Sequence, residues 1–323
     1  MSRKIVILGT GGTIAGTAAS ATDSIGYTAA QVGVDQLVAA VPVLAQWALQ
    51  TEQVAQIDSK DMDFEVWRQL ALRCAHWLAD PDVQAVVVTH GTDTLEETAW
   101  FLQAVLQPAK PVVLACAMRP ASALMADGPQ NLLDAMAVAS HPGARGVLAV
   151  CAGTVHLARD VQKVHTYRLD AFDSGDAGPL AHVEDGALRL LRSWPEAQEA
   201  WARGGLEKVA STASWPRVEV VMNYAGAGSG IVDALCAQGV QGLVAACTGN
   251  GTLHRTLEAA LLRAQAAGVR VVRATRCAGG RVLARPDDAL ADSRGLSPVK
   301  ARVALMLELL GIETKEAPGL LRW

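Results

Sequence analysis

Ile5-Val6-Ile7-Leu8-Gly9-Thr10-Gly11-Gly12-Thr13-Ile14-Ala15-Gly16 opens the chain with an apolar run that breaks into a glycine-rich turn. Four consecutive apolar residues without polar alternation read as a strand covered on both faces, as in a parallel sheet. The same grammar recurs downstream. Candidate strands lie at 4–8, 53–57, 84–89, 111–116 and 146–151, then at 218–223, 241–247 and 269–275. Between them are segments such as 95–106, where Leu95, Ala99, Leu102 and Leu106 repeat at helical spacing. Strands alternating with helices predict an α/β fold with largely parallel sheets.

The stretch 194–216 interrupts this alternation with Trp194-Pro195, Gly204-Gly205 and Trp215-Pro216. It is expected to be a linker between an N-terminal α/β domain at 1–193 and a C-terminal α/β domain at 217–323. An amphipathic helix is expected from Ser297-Pro298 to Leu310, with Ser297 as N-cap, Pro298 at the first helical position and Gly311 as the stop.

Composition narrows the function classes. The chain has 323 residues, 51% hydrophobic and 19% charged, with a net charge of -4. That is globular, and too mildly charged for a nucleic-acid footprint. No run of about 18 apolar residues exists, so no membrane span is expected. Gly9 ends the first apolar run after four residues, too short for the core of a secretory signal. Six cysteines are scattered without a CxxC pair, and the seven histidines show no HxxxH spacing. Free thiols, a cytoplasmic location and no metal are the expectations.

The glycine-rich turn is not a nucleotide loop. A GxGxxG pattern from Gly9 needs Gly or Ala where Ile14 stands, and a Walker loop ending at Gly16 needs a lysine where Thr17 stands. The glycines instead suit close backbone packing around a small substrate. Thr13 then lies at the carboxyl end of the first strand, the edge where open α/β sheets bind ligands. A helix cap or turn hydroxyl is the alternative for Thr13.

A second hydroxyl-rich segment, Thr89-His90-Gly91-Thr92-Asp93-Thr94-Leu95-Glu96-Glu97-Thr98, follows the strand at 84–89. Asp93 with Glu96, or Thr94 with Glu97, makes a plausible capping box. Thr92 precedes that helix as Thr13 follows the first strand, so the two can face one cleft. Two threonines beside one acid suggest a nucleophile and its support, since a hydroxyl attacks only once a base removes its proton. His90 is better read as a structural histidine at a strand end than as that base. GxSxG is absent.

Together these segments resemble the bacterial-type L-asparaginase family. Thr10-Gly11-Gly12-Thr13-Ile14-Ala15-Gly16 and His90-Gly91-Thr92-Asp93-Thr94-Leu95-Glu96-Glu97-Thr98 are similar to its two signatures. Tyr27-Thr28, Ser59-Lys60-Asp61-Met62, Ala117-Met118-Arg119-Pro120, Ala126-Asp127-Gly128-Pro129 and Arg159-Asp160-Val161-Gln162-Lys163 also match in order, as do Asn223-Tyr224, Gly249-Asn250-Gly251 and Lys300-Ala301-Arg302. The resemblance spans nearly the whole chain.

It implies a larger flavodoxin-like N-terminal domain, a smaller C-terminal domain, and hydrolysis of L-asparagine to L-aspartate and ammonia without a cofactor. Thr13 would attack the side-chain amide carbon, and Tyr27, on a mobile loop over the site, would assist. Thr92, Asp93 and Lys163 would form a second hydroxyl, acid and base set. A lysine serves as base only where desolvation or nearby charge favours its neutral form. Ser59 and Asp93 would hold the substrate's α-carboxylate and α-amino groups, with Gly12, Thr13 and Thr92 lining the pocket. Backbone N–H groups around Gly12, Thr13 and Thr92 would supply the oxyanion donors. A homo-oligomer is implied, a tetramer built from tight dimers or a dimer.

Departures bear on selectivity. Asp58 stands where the family often has glycine, Lys60 where glutamine is common, and Thr252 where many members have asparagine. The segment 276–296 is short and carries Asp287, Asp288 and Asp292 in place of the glutamate that many members lend to a neighbouring subunit. Weak glutaminase activity is therefore expected. Two other readings share this pattern. An ammonia-donating amidotransferase subunit usually carries an added N-terminal module, and here the first signature begins at residue 9. A non-catalytic amino-acid sensor should lack a catalytic group, whereas Thr13, Tyr27, Thr92, Asp93 and Lys163 are all present.

Overall fold

A computed structural model describes residues 4–195 and 204–314. The chain forms two compact units, Met1–Ala210 and Ser211–Trp323.

The first unit is built on strands β1 (Lys4–Gly11), β2 (Leu49–Ile57), β3 (Val83–Thr89), β4 (Val112–Ala115) and β5 (Val147–Cys151), all parallel. Helices α1 (Val34–Ala39), α2 (Phe64–Ala79), α3 (Leu95–Leu106) and α4 (Gly128–Ser140) connect them. Alternate strand residues serve opposite faces. Ile5, Ile7, Ala85, Val87 and Val113 pack with Val34 of α1 and with Leu132, Ala135 and Met136 of α4. The other face is covered by α2 and α3. Those two helices are joined by a Trp67–Phe101 stack at 4.8 Å and by the Trp67 indole donating to Thr98 Oγ1 at 2.9 Å.

An antiparallel extension continues the sheet. It consists of β6 (Thr154–Leu157), β9 (Ala181–Glu184) and β10 (Ala187–Leu190), giving the order β10-β9-β6-β5-β4-β3-β1-β2. Between β6 and β9 the chain makes a small separate hairpin, β7 (Gln162–Lys163) with β8 (Phe172–Asp173). The sequence reading anticipates none of these five short strands. Two of the turns carry a recognisable device. Ala152-Gly153 and Asp185-Gly186 have positive φ at both central residues, as two-residue hairpins of primed type require.

Helix α5 (Gly205–Ser211) falls inside the stretch read as a linker, and residues 196–203 lie outside the described residues. The second unit holds a parallel sheet of β11 (Val218–Met222), β12 (Gly242–Cys247), β13 (Arg270–Thr275) and β14 (Ala291–Asp292). Helices α6 (Gly230–Ala237), α7 (Arg255–Ala266) and α8 (Pro298–Leu309) accompany it. Two expectations for α8 are corrected. Val303, Ala304, Leu305, Met306 and Leu307 are all buried, so the helix is apolar most of the way round instead of amphipathic. Ser297 occupies the N-cap position, but its hydroxyl makes no capping bond.

The order β2-β1-β3-β4-β5 matters most for function. The chain leaves β1 toward β2 on one side and later returns to place β3 on the other. The connections from β1 and β3 therefore leave for opposite faces of the sheet, the switch point at which open α/β sheets bind ligands in a crevice.

Candidate active site

Three adjacent strands deliver side chains to that crevice. Thr13 follows β1, Ser59 follows β2 and Thr92 follows β3, and all three are buried. Glycines let the loops touch. Gly11 and Gly12 take φ of 97° and 81°, a region open to glycine and costly for other residues. A methyl placed on Gly12 would stand 2.3 Å from Cα of Gly91, so the loops after β1 and β3 pack backbone to backbone.

Thr13 Oγ1 lies 2.7 Å from the Tyr27 hydroxyl. Tyr27 is held by paired backbone bonds between Thr17 and Thr28, Thr17 N–H donating at 2.9 Å and Thr28 N–H at 2.8 Å. Gly16 makes room for the ring, because a methyl there would meet Tyr27 Cδ2 at 2.9 Å. The Asp23 carboxylate ties the outer turn by accepting from the Ile25 and Gly26 N–H groups, and those bonds lower its pKa.

The second group centres on Lys163, placed by β7. Its Nζ donates to Thr92 Oγ1 at 2.8 Å and to Asp93 Oδ1 at 2.6 Å. The lysine side chain is largely covered, whereas about half of the Asp93 side chain is exposed (52%) and can meet a ligand. Ser59 Oγ accepts from Asp93 N–H at 3.1 Å, and Thr94 Oγ1 donates to Ser59 O at 2.8 Å. The capping-box reading is thereby corrected. Thr94 is the N-cap of α3, but its hydroxyl faces Ser59, and the Asp93 carboxylate faces Lys163.

Gly12 also needs correction as an oxyanion donor, because its N–H is committed to Ile57 O at 2.8 Å. His90 is fully buried, and its Nδ1–H donates to Gly91 O at 2.6 Å. Burial lowers its pKa to about 4, which fits a neutral structural imidazole supporting the loop. Beside Ser59, Lys60 Nζ is bound by Asp58 at 2.8 Å and by Asp61 at 3.1 Å. Its hydrogen bonds to these carboxylates, Asp58 first, raise its pKa to about 12, so an exposed cation with two flanking anions lies next to Ser59 in the chain.

Sequence reasoning quoted Gly91, Thr94 and Asp127 within its matched segments but gave none of them a place in the site. Asp127 accepts the Met118 and Arg119 N–H groups, both at 2.9 Å, and so closes the loop after β4. A glycine beside a signature threonine was the available signal for Gly91. For Asp127 the signal was its place in the matched segment Ala126-Asp127-Gly128-Pro129. Among the described residues, no group of three His, Cys, Asp or Glu side chains could hold a metal, and no helix is long and apolar enough to cross a membrane.

This geometry can be set beside known proteins. The family model described as "Asparaginase, N-terminal" matches residues 4–196, and "Glutaminase/Asparaginase C-terminal domain" matches residues 217–317. "L-asparaginase 2" of Bacillus subtilis (strain 168) is 39% identical over 314 residues, covering 94% of this chain and 82% of that protein. "Glutaminase-asparaginase" of Pseudomonas fluorescens biotype A is also 39% identical over 314 residues, covering 94% of this chain and 86% of its own. Among solved structures, a "Probable Cytoplasmic L-asparaginase" from Campylobacter jejuni superposes with a TM-score of 0.88 at 38% identity, with 95% of each chain covered. With both halves matched by family models and relatives this similar along nearly the full length, the chain belongs to the asparaginase family of amide hydrolases.

Proposed function

We propose that the chain hydrolyses L-asparagine to L-aspartate and ammonia through an ester intermediate on Thr13. The observation that carries this reading is the pairing of Thr13 with a hydroxyl neighbour, Tyr27, 2.7 Å away at the β1/β3 crevice. Thr13 Oγ attacks the amide carbon as its proton passes to the Tyr27 hydroxyl, which hands its own proton on to the amide nitrogen. The tetrahedral intermediate expels the amide nitrogen, which leaves as ammonia after taking a proton. Water then attacks the ester, freeing aspartate and restoring the threonine. With Gly12 N–H engaged, the Thr13 and Thr92 N–H groups are the natural oxyanion donors.

Asp93 and Ser59 hold the amino-acid end. A substrate ammonium on the exposed part of Asp93 competes with Lys163 for the carboxylate. That loosens the ion pair and frees Lys163 Nζ for proton traffic at Thr92. Productive binding and activation of the second group are thus linked. The segment bearing Tyr27 acts as the lid, and the active form is a homo-oligomer whose mass light scattering reads.

The test is ammonia release by Thr13→Ala. Loss of a covalent nucleophile should remove at least about 10²-fold of the activity. Turnover near wild type in folded Thr13→Ala protein would reject the assignment, and mass spectrometry of acid-quenched enzyme should find the aspartyl ester on Thr13.

A further inference from the structure

Lys163 stands in a small hairpin anchored at its base by the buried Val161, Ala171 and Phe172. The β7–β8 hairpin has two residues per strand, and such a hairpin is at best marginal in isolation. Its loop exposes Val164, Tyr167 and Leu169. Within the loop, Val164 N–H and His165 N–H donate to Ala171 O at 2.8 and 3.2 Å. His165 Nδ1 accepts from the Tyr167 and Arg168 N–H groups at 3.0 and 3.1 Å. These bonds shape the loop but do not set where it lies relative to Thr92.

Burial of Ala171 and Phe172 and the bonds of Lys163 Nζ itself contribute to that at the base of the hairpin. At the loop and backbone two further contacts are long or sulfur-borne: Cys151 Sγ–H donates to Leu169 O at 3.2 Å, and Lys163 N–H donates to Glu96 Oε1 at 3.4 Å. Arg119 makes a stronger one. Its guanidinium donates to Tyr167 O at 3.0 Å and also lies 4.0 Å from the centre of the Tyr167 ring. A planar cation can stack on a ring and donate in its own plane at once, which an ammonium cannot do.

Arg119 is itself rigidly mounted. Its N–H donates to Asp127 Oδ1, and Asn131 Nδ2 donates to Asp127 Oδ2 at 3.2 Å. Asn131 further bonds Cys116 O and Ala152 N–H, each at 2.9 Å. Cys116 follows β4 and Ala152 follows β5, so the mount belongs to the sheet.

We propose that Arg119 is a positioning residue for the reaction, holding the β7–β8 hairpin through Tyr167 so that Lys163 Nζ meets Thr92 Oγ1. This rests on the amide-hydrolase reading with Lys163 as proton carrier. A displacement of about 1 Å at a reacting group can cost about 10²-fold. Releasing the clamp should therefore lower turnover while leaving binding nearly unchanged.

The experiment measures kcat, KM and the pH dependence of kcat with asparagine. The proteins are wild type, Arg119→Ala, Arg119→Lys, Tyr167→Ala, Tyr167→Phe and Lys163→Met. Arg119→Ala should lose about 10- to 100-fold in kcat, with KM within about threefold and an altered kcat–pH profile. Tyr167→Ala should lose part of the same amount, and a double variant with Arg119→Ala should lose little more than Arg119→Ala alone. Tyr167→Phe keeps the ring and the carbonyl, and should recover most of the loss. A folded Arg119→Ala enzyme with kcat within about twofold of wild type, or with an unchanged pH profile, overturns the proposal. If Arg119→Ala does not fold, wild-type kcat in both Arg119→Lys and Tyr167→Ala overturns it. A wild-type chain that releases no ammonia, or a fully active Lys163→Met, instead rejects the underlying reading. Active wild type, inactive Lys163→Met and intact Arg119→Ala reject the role of Arg119 alone.

Discussion

Gly12 and Gly91 meet so closely that neither position has room for a side chain. A methyl on Gly12 would lie 2.3 Å from both N and Cα of Gly91, and one on Gly91 would lie 3.0 Å from Cα of Gly12. This contact joins the loop that carries Thr13 to the loop that carries Thr92. It explains why two signatures about eighty residues apart both contain glycine.

Gly91→Ala tests that contact. The new methyl would stand 2.4 Å from Ser59 Oγ and 2.7 Å from Ser59 Cβ. Overpacking of this kind costs about 1–3 kcal/mol, which a domain of this size can survive. The catalytic cost should be larger, about 10²-fold in kcat/KM, because Ser59 and Thr92 are pushed apart. Urea unfolding and steady-state kinetics on the same preparation separate the two effects. Activity within about twofold of wild type would show that the loops can part without consequence.

Lys163→Met should abolish turnover and leave asparagine binding largely intact. Its Nζ touches Thr92 and Asp93, while Ser59 holds the Asp93 backbone independently of the lysine. Methionine keeps the length of the side chain and removes the charge. Calorimetric titration should find a dissociation constant no weaker than wild type where kcat has vanished. Parallel loss of binding and rate would make Lys163 a binding residue.

His90 gives the fold an acid-side weakness. Its pKa is about 4 in the folded protein against an ordinary 6.5, because burial disfavours the cation. The unfolded chain therefore binds the proton more readily between those values, and stability falls as pH falls through that window. The stabilisation is complete above about pH 6.5 and lost toward pH 4, in total about 3 kcal/mol from a shift of this size. Thermal unfolding from pH 7 to pH 4 should show a shallower decline for His90→Gln than for wild type. Equal slopes would mean that the imidazole does not govern the acid limb.

Much of this arrangement was legible in the sequence because the central strands are continuous apolar runs. Val86-Val87-Val88 and Leu243-Val244-Ala245-Ala246 cannot be confused with amphipathic surface segments. The two threonine loops were legible for a related reason, since a hydroxyl-rich turn directly after such a strand falls on the ligand-binding edge. The antiparallel extension was not, because β6 to β10 are two to four residues long and too short to show a period. Asp93 shows a different limit. Local sequence favours a helix cap, and only the distant hairpin bearing Lys163 claims its carboxylate. The clamp from Arg119 to Tyr167 spans 48 positions, which no local pattern reveals.

Selectivity between asparagine and glutamine turns on how the amino-acid end is clamped. Glutamine is one methylene longer, so its amide carbon overshoots Thr13 when its α-groups stay on Ser59 and Asp93. The two anchors are tied to each other at the backbone, Asp93 N–H donating to Ser59 Oγ at 3.1 Å, a bond that substrate binding leaves in place. A site held this way discriminates by length, since an offset of about 1 Å costs about 10²-fold. The ratio of kcat/KM for asparagine over glutamine should therefore exceed about 10². A ratio within about tenfold would leave only what one methylene in an apolar pocket is worth, roughly 1–3 kcal/mol or less, and would reject a rigid clamp. Lys60→Gln offers a second reading of the same idea. Removing the cation frees Asp58 and Asp61 beside Ser59. If those carboxylates stiffen the Ser59 turn through Lys60, the variant should narrow the asparagine preference, and an unchanged ratio would place the selectivity elsewhere.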